Sequence, residues 1–276
     1  MRRAVSSMAG ANVGASLRLV TDKIKVAAEC RPQALQTANV RLVAVGKTKP
    51  IELIQQAYNH GQRNFGENYV QELSEKAANP DVVAKCPDIK WHFIGHLQRN
   101  KVKQLSSIAN LYMVETVSSE KIASALDMSW GRLKRDDRLK VMAQINTSGE
   151  DTKHGATPDQ SVKLVRHILE KCPNLHFIGL MTIGSFNHDL SSGPNPDFLI
   201  LVDCKQHVCK ELQLNLEAVE LSMGMSNDFE HAIHLGSTNV RVGSTIFGAR
   251  VYPAMKSGEN RNATLPTSEP QSTVTT

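Results

Sequence analysis

No two cysteines are spaced as CxxC. The five that exist, Cys30, Cys86, Cys172, Cys204 and Cys209, are scattered and odd in number. That pattern weighs against a disulfide framework and a zinc site, and suits reduced thiols in a cytosol-like compartment. No apolar run is long enough to span a bilayer, so no membrane association is expected. Blocks of lysine and arginine are also missing. The net charge of +5 over 276 residues is spread along the chain, which reads as solubility rather than a nucleic-acid footprint. Finally, no GxGxxG turn follows the first strand-like run, which disfavours an open dinucleotide-binding sheet.

What is present is length enough for a large core, and α/β barrels of this size fold as single domains. The N-terminus is basic, with no acid before Asp22, a bias that transit peptides share. Yet Val13, Leu17, Val20, Ile24 and Ala27 recur at helical spacing, so a structural helix is expected from about residue 12, after a loose leader at 1–11. At the other end, residues 253–276 are rich in Ser, Thr, Pro and Asn and poor in apolar side chains, which predicts a disordered tail. The folded domain is expected over 12–252.

Between these ends one run organises the rest: Arg41-Leu42-Val43-Ala44-Val45-Gly46-Lys47-Thr48-Lys49-Pro50. A short valine-rich run closed by proline reads as a buried strand. Alternation puts Lys47 on the face of Val43 and Val45. An amine at the mouth of an apolar strand loses its proton more easily than a solvated one, and suits a Schiff base with an aldehyde. The same decapeptide would also fit a surface lysine that merely closes a strand.

Further strands are expected at 64–67, 91–95, 111–116, 139–145, 177–183, 219–223 and 239–247. Helices are expected between them, at 51–60, 69–78, 100–108, 118–132, 160–171, 197–212 and 228–235. Eight strands alternating with helices imply parallel pairing through right-handed crossovers, and eight such units close into a (β/α)8 TIM barrel. An open doubly wound sheet is the alternative.

In such a barrel chemistry sits at the C-terminal strand ends, often with a phosphate site after strands seven and eight. After strand seven come Met223-Gly224-Met225-Ser226-Asn227-Asp228. Gly224 permits a close turn, and Ser226 fits the N-cap of the next short helix, whose first N–H groups would receive an anion. A plain helix cap explains the same residues. Strand eight carries Arg241, Gly243 and Ser244. Its valines suit packing against outer helices, so Arg241 is expected inside the barrel, facing a ligand or paired with a barrel carboxylate. An amine, a phosphate cradle and a guanidinium at one mouth are what pyridoxal phosphate requires. Asn68, after strand two, is placed at the same mouth, with Glu67 beside it as a solvated loop acid.

Several longer runs go further. They are 43–49, Phe65-Gly66-Glu67-Asn68-Tyr69-Val70-Gln71-Glu72, Trp91-His92-Phe93-Ile94-Gly95-His96-Leu97-Gln98, Gly179-Leu180-Met181-Thr182-Ile183, 221–226 and 240–248. With these in order over roughly residues 12–250, the sequence resembles the pyridoxal-phosphate homeostasis family, the proline-synthetase co-transcribed homologues. The resemblance implies a fold-type III barrel like the first domain of alanine racemase. It implies Lys47 as the Schiff-base lysine, Ser226, Gly243 and Ser244 around the phosphate, and Arg241 facing the ring nitrogen. Arginine there keeps that nitrogen unprotonated and weakens the cofactor as an electron sink. One departure is Gly46, where the family commonly has serine, read as small for small.

Racemases use a tyrosine from a second β-domain as the opposite-face base, and after strand eight this chain is expected to add only a short, mostly polar tail. His92 and His96 are the nearest substitutes and read as structural or cofactor-flanking. The expected function is therefore covalent binding of pyridoxal 5'-phosphate and its buffering or delivery to apo-enzymes, without strong catalysis. The alternative is an amino-acid racemase. A cytoplasmic monomer is expected, with a mitochondrial pool as the other location.

Overall fold

The computed structural model describes residues 12–249 except 33–38, 151, 186 and 187, so the expected leader, the tail and the domain end at 252 lie outside the described residues. Helix α1, Val13–Glu29, opens on Asn12, whose side chain accepts a hydrogen bond from Ala15 N–H. Its buried face is Val13, Leu17, Val20, Ile24 and Ala27, the stripe read from the sequence. Each of its valine, leucine and isoleucine side chains removed from water stabilises the fold by about 1.5–3 kcal/mol. The helix packs against three others introduced below, which flank the first and last strands.

The strands are β1 (Arg41–Val45), β2 (Asn64–Glu67), β3 (Lys90–Phe93), β4 (Leu111–Val117), β5 (Leu139–Gln144), β6 (Leu175–Met181), β7 (Glu220–Ser222) and β8 (Asn239–Val242). All pair in parallel in chain order, and β8 returns to β1 to close the barrel, with Val43 opposite Arg241. The helices are α2 (Ile51–Asn59), α3 (Val70–Ala78), α4 (Pro80–Lys85), α5 (Val102–Ser106), α6 (Glu120–Arg132), α7 (Ser161–Lys171), α8 (Pro196–Leu212), α9 (Phe229–His234) and α10 (Ser244–Phe247). Helix α1 lies against α2, α9 and α10.

Alternation sorts the strand side chains into two cores. Val114, Val141, Ala143, Leu180, Val240 and Val242 belong to the large core shared with the helices. Their neighbours Met113, Met142 and Met181 form a separate cluster inside the barrel. Asn239 and Arg241, offset by one residue from the β8 valines, are buried on the inner side too.

Some boundaries differ from the sequence reading. β8 stops at Val242 rather than running to Phe247, because the chain turns out of the sheet at Gly243 into α10. Ile246 and Phe247, which look strand-like, are buried helical residues. β6 is shifted to Leu175–Met181. Pro80, which closes α3 in the sequence reading, begins α4 instead, after Asn79 accepts from Asp81 N–H at 2.9 Å. The expected helix at 100–108 is split into a 3-10 turn, Arg99–Lys101, and α5.

Candidate functional site

The C-terminal strand ends surround a cavity of about 270 Å³. Beyond β1 the chain turns at once, with Lys49 N–H donating to Gly46 O at 2.9 Å. This turn carries Lys47 two residues past the strand, yet Lys47 and Val45 line the same cavity, as alternation requires. Asn68 reaches it directly after β2. There the β3 exit comes so close that a Cβ on Gly95 would lie 1.8 Å from Asn68 O, so only glycine fits. Met225, Ser226, Asn227 and Asp228 arrive from the β7 loop, and Arg241, Gly243 and Ser244 from β8. All six residues singled out for the cofactor, Lys47, Asn68, Ser226, Arg241, Gly243 and Ser244, therefore line one cavity.

The β7 loop depends on Gly224, whose φ is +97°; a Cβ there would meet Ala232 Cβ at 2.6 Å. Ser226 does not cap the following helix. Asp228 is the N-cap residue, and its carboxylate accepts from Met225 N–H at 2.6 Å. The turn at 226–228 frees Ser226 for another partner: its hydroxyl accepts from Gly243 N–H at 3.2 Å, tying the β7 and β8 loops together. A hydroxyl that accepts in this way keeps its own proton for a further acceptor.

Arg241 is 4% exposed. It donates to Thr182 O at 2.8 Å and to the Ser222 hydroxyl. Burial lowers its pKa, and the nearby Glu115 and Asp228 charges oppose that. Ser222 in turn donates to Glu115 Oε2 at 2.6 Å, and Asn239 donates to the same oxygen at 3.1 Å. The other Glu115 oxygen meets His92 Nδ1 at 2.7 Å, and His92 Nε2 meets Asn64 Oδ1 at 3.1 Å. Burial alone would raise the Glu115 pKa; His92, Arg241 and Ser222 outweigh it and hold the carboxyl below its ordinary value. Arg241 thus faces the ligand cavity and joins a barrel carboxylate through one hydroxyl, so both sequence alternatives describe it in part.

His92 is a fully buried member of this network and does not line the cavity. His96 is exposed, its ring stacked on His154 at 3.4 Å. Glu67 corrects the sequence reading. It is fully buried, not solvated, because β2 alternation turns it, like Phe65, toward the helix layer, where Lys76 Nζ on α3 lies at 2.7 Å. Burial raises its pKa to about 7 against the opposing pull of Lys76. Gly46 matters here as well. A Cβ on it would lie 2.8 Å from Glu67 Oε1 and 2.5 Å from Ile54 Cδ1, so glycine leaves room that serine would take from this carboxylate.

Residues not foreseen include the apolar walls Ile94, Met181, Ile183 and Met225, and also Lys49 and Asp228. Lys49 Nζ donates to Gly248 O and Ala249 O at 2.8 Å each. Glu115 left a signal that went unused. It alternates with Met113 onto the inner face of β4, where a carboxylate needs partners.

Comparison with known proteins agrees with this geometry. Residues 24–251 match the family described as alanine racemase, N-terminal domain. A human pyridoxal phosphate homeostasis protein is 56% identical over 252 residues, covering 91% of this chain and 92% of its own. One from Haemophilus influenzae is 37% identical over 241 residues, 87% of this chain and 97% of its own. Among solved structures, PipY of Synechococcus elongatus with PLP bound superposes with a TM-score of 0.69 at 29% identity, covering 86% of this chain and all of that one (100%). Alanine racemase of Corynebacterium glutamicum shares the fold, with a TM-score of 0.58 at 15% identity over 89% of this chain and 62% of the racemase.

Proposed function

The chain belongs to the pyridoxal phosphate homeostasis family, built on the alanine racemase N-terminal barrel, and on that footing we propose that it binds pyridoxal 5'-phosphate covalently at Lys47 and stores and delivers it. The observation that carries the reading is the convergence of Lys47, Arg241, Ser226 and Ser244 on one cavity.

The residues present fit the group. Asn68 Oδ1 is buried there without a hydrogen-bond partner, an acceptor that a ring hydroxyl would satisfy. Val45, Ile94, Met181, Ile183 and Met225 offer apolar walls to a flat ring. Ser226 and Ser244 hydroxyls with the Gly243–Ser244 backbone would hold the phosphate. When bound, pyridoxal phosphate supplies an aldehyde that forms a reversible imine with an amine. Lys47 supplies the amine. Arg241, fixed by Thr182 and Ser222 and charged at every physiological pH, would oppose a proton on the ring nitrogen, which disfavours transamination and suits racemisation and simple carriage alike.

Two-base racemisation needs a base on each side of the substrate carbon. Among the described lining residues the titratable groups are Lys47, Lys49, Asp228 and Arg241. Asp228 is engaged with Met225 N–H, and Lys49 with two carbonyls. This supports a carrier that serves apo-enzymes rather than a racemase. The test mixes holo-protein with an apo-enzyme that requires the cofactor, in the presence of a phosphatase that destroys free cofactor, and follows a chiral amino acid alongside. Activation of the apo-enzyme with no inversion is expected. Sustained inversion at enzyme-like rates would replace the carrier reading with a racemase.

A further inference from the structure

Lys47 is the second residue of a tight turn whose third residue, Thr48, has φ +61°. A β-branched residue is unfavourable in that left-handed region, so the turn needs support from outside itself. Helix α3 supplies it. Lys76 Nζ donates to Gly46 O at 2.8 Å, at the peptide just before Lys47. Glu72 Oε1 accepts from Thr48 N–H at 2.6 Å, at the peptide just after it. The two side chains hold each other, Lys76 Nζ to Glu72 Oε1 at 2.7 Å, one helical turn apart. Lys76 also meets Glu67 Oε1 at 2.7 Å, which fixes the clamp to β2.

Resting on the cofactor reading above, we infer that Glu72 and Lys76 are positioning residues that grip the two peptides flanking Lys47 and so aim its amine into the cavity. Neither lines the cavity, so they act only through the turn. Their grip keeps Thr48 in a conformation it would otherwise leave, and a relaxed Thr48 would swing Lys47 away from the ring. Imine formation is sensitive to such displacement, since misplacing a reacting group by about 1 Å costs on the order of a hundredfold in rate.

The test uses Glu72→Met, which removes the acceptor at a partly exposed position, Lys76→Met, and Glu72→Met combined with Thr48→Gly. Glycine adopts positive φ without strain, so it preserves the turn when the clamp is gone. Pyridoxal phosphate is added to apo-protein, and the imine band is followed in time beside a thermal melt. Glu72→Met and Lys76→Met should slow imine formation roughly ten- to a hundredfold, and Thr48→Gly should restore most of the rate. A folded Glu72→Met protein that reacts at the unmodified rate overturns the clamp. So does a slow Glu72→Met protein that Thr48→Gly leaves slow, because the defect then lies outside the turn. Absence of an imine band in the unmodified chain is a different result: it overturns the cofactor reading itself.

Discussion

The guanidinium of Arg241 and the carboxylate of Glu115 share a single hydroxyl, that of Ser222, deep in the barrel. This hydroxyl carries the state of the interior network to the cavity wall. Ser222→Ala would leave an Arg241 N–H and a Glu115 oxygen short of a partner where water does not reach. The expected cost is about 1–3 kcal/mol in unfolding free energy, read by chemical denaturation. Arg241 would also lose one of its two anchors, so cofactor affinity should fall about tenfold, equivalent to roughly 1.4 kcal/mol.

The phosphate cradle makes a prediction that needs no change in the amine. Ser226→Ala and Ser244→Ala should each weaken pyridoxal phosphate by about tenfold, as hydrogen bonds to a charged group contribute about 1.5–3 kcal/mol. Pyridoxal, which lacks the phosphate, should bind both variants as it binds the unmodified protein. Titration of the imine band with the two aldehydes checks this. Equal losses for both would move the serines away from the phosphate.

Glu67 sets a pH signature. Its carboxyl is raised from an ordinary value of 4.5 to about 7, so between those values the folded state binds the proton that the unfolded state releases. Stability from this group is therefore present below about 4.5 and lost as pH rises to about 7. Glu67→Gln removes the titration. The melting temperature of Glu67→Gln minus that of the unmodified protein should rise from pH 4.5 to pH 7. A flat difference across that window contradicts the buried, raised carboxyl.

Gly224→Ala tests the turn behind the cradle. Its φ of +97° and the 2.6 Å approach to Ala232 Cβ leave no place for a methyl group. A loss on the order of 1–3 kcal/mol is expected from the backbone conformation, with cofactor retention reduced because Ser226 lies on the displaced loop. Denaturation and dialysis read the two effects separately.

Much of this was legible beforehand because barrel geometry follows from periodicity. The β8 valines alone place Arg241 inside, and every residue of the α1 stripe lies on its buried face, to which the structure adds Gly14. What periodicity does not carry is a partner from another element. Glu67 looks solvated beside Asn68 until α3 brings Lys76 against it. Ser226 looks like a helix cap until β8 brings Gly243 N–H within 3.2 Å. Gly46 looks interchangeable with serine until Ile54 and Glu67 fill the space above it. Each miss is a contact between side chains or backbone of different elements, and spacing within one element holds no record of those.

Whether Lys47 carries the aldehyde is read by borohydride reduction of the protein loaded with pyridoxal phosphate, followed by peptide mass mapping. One pyridoxyl group fixed on Lys47, and none in Lys47→Ala, is the expected result. An adduct on Lys49, or an imine band that survives in Lys47→Ala, would contradict it.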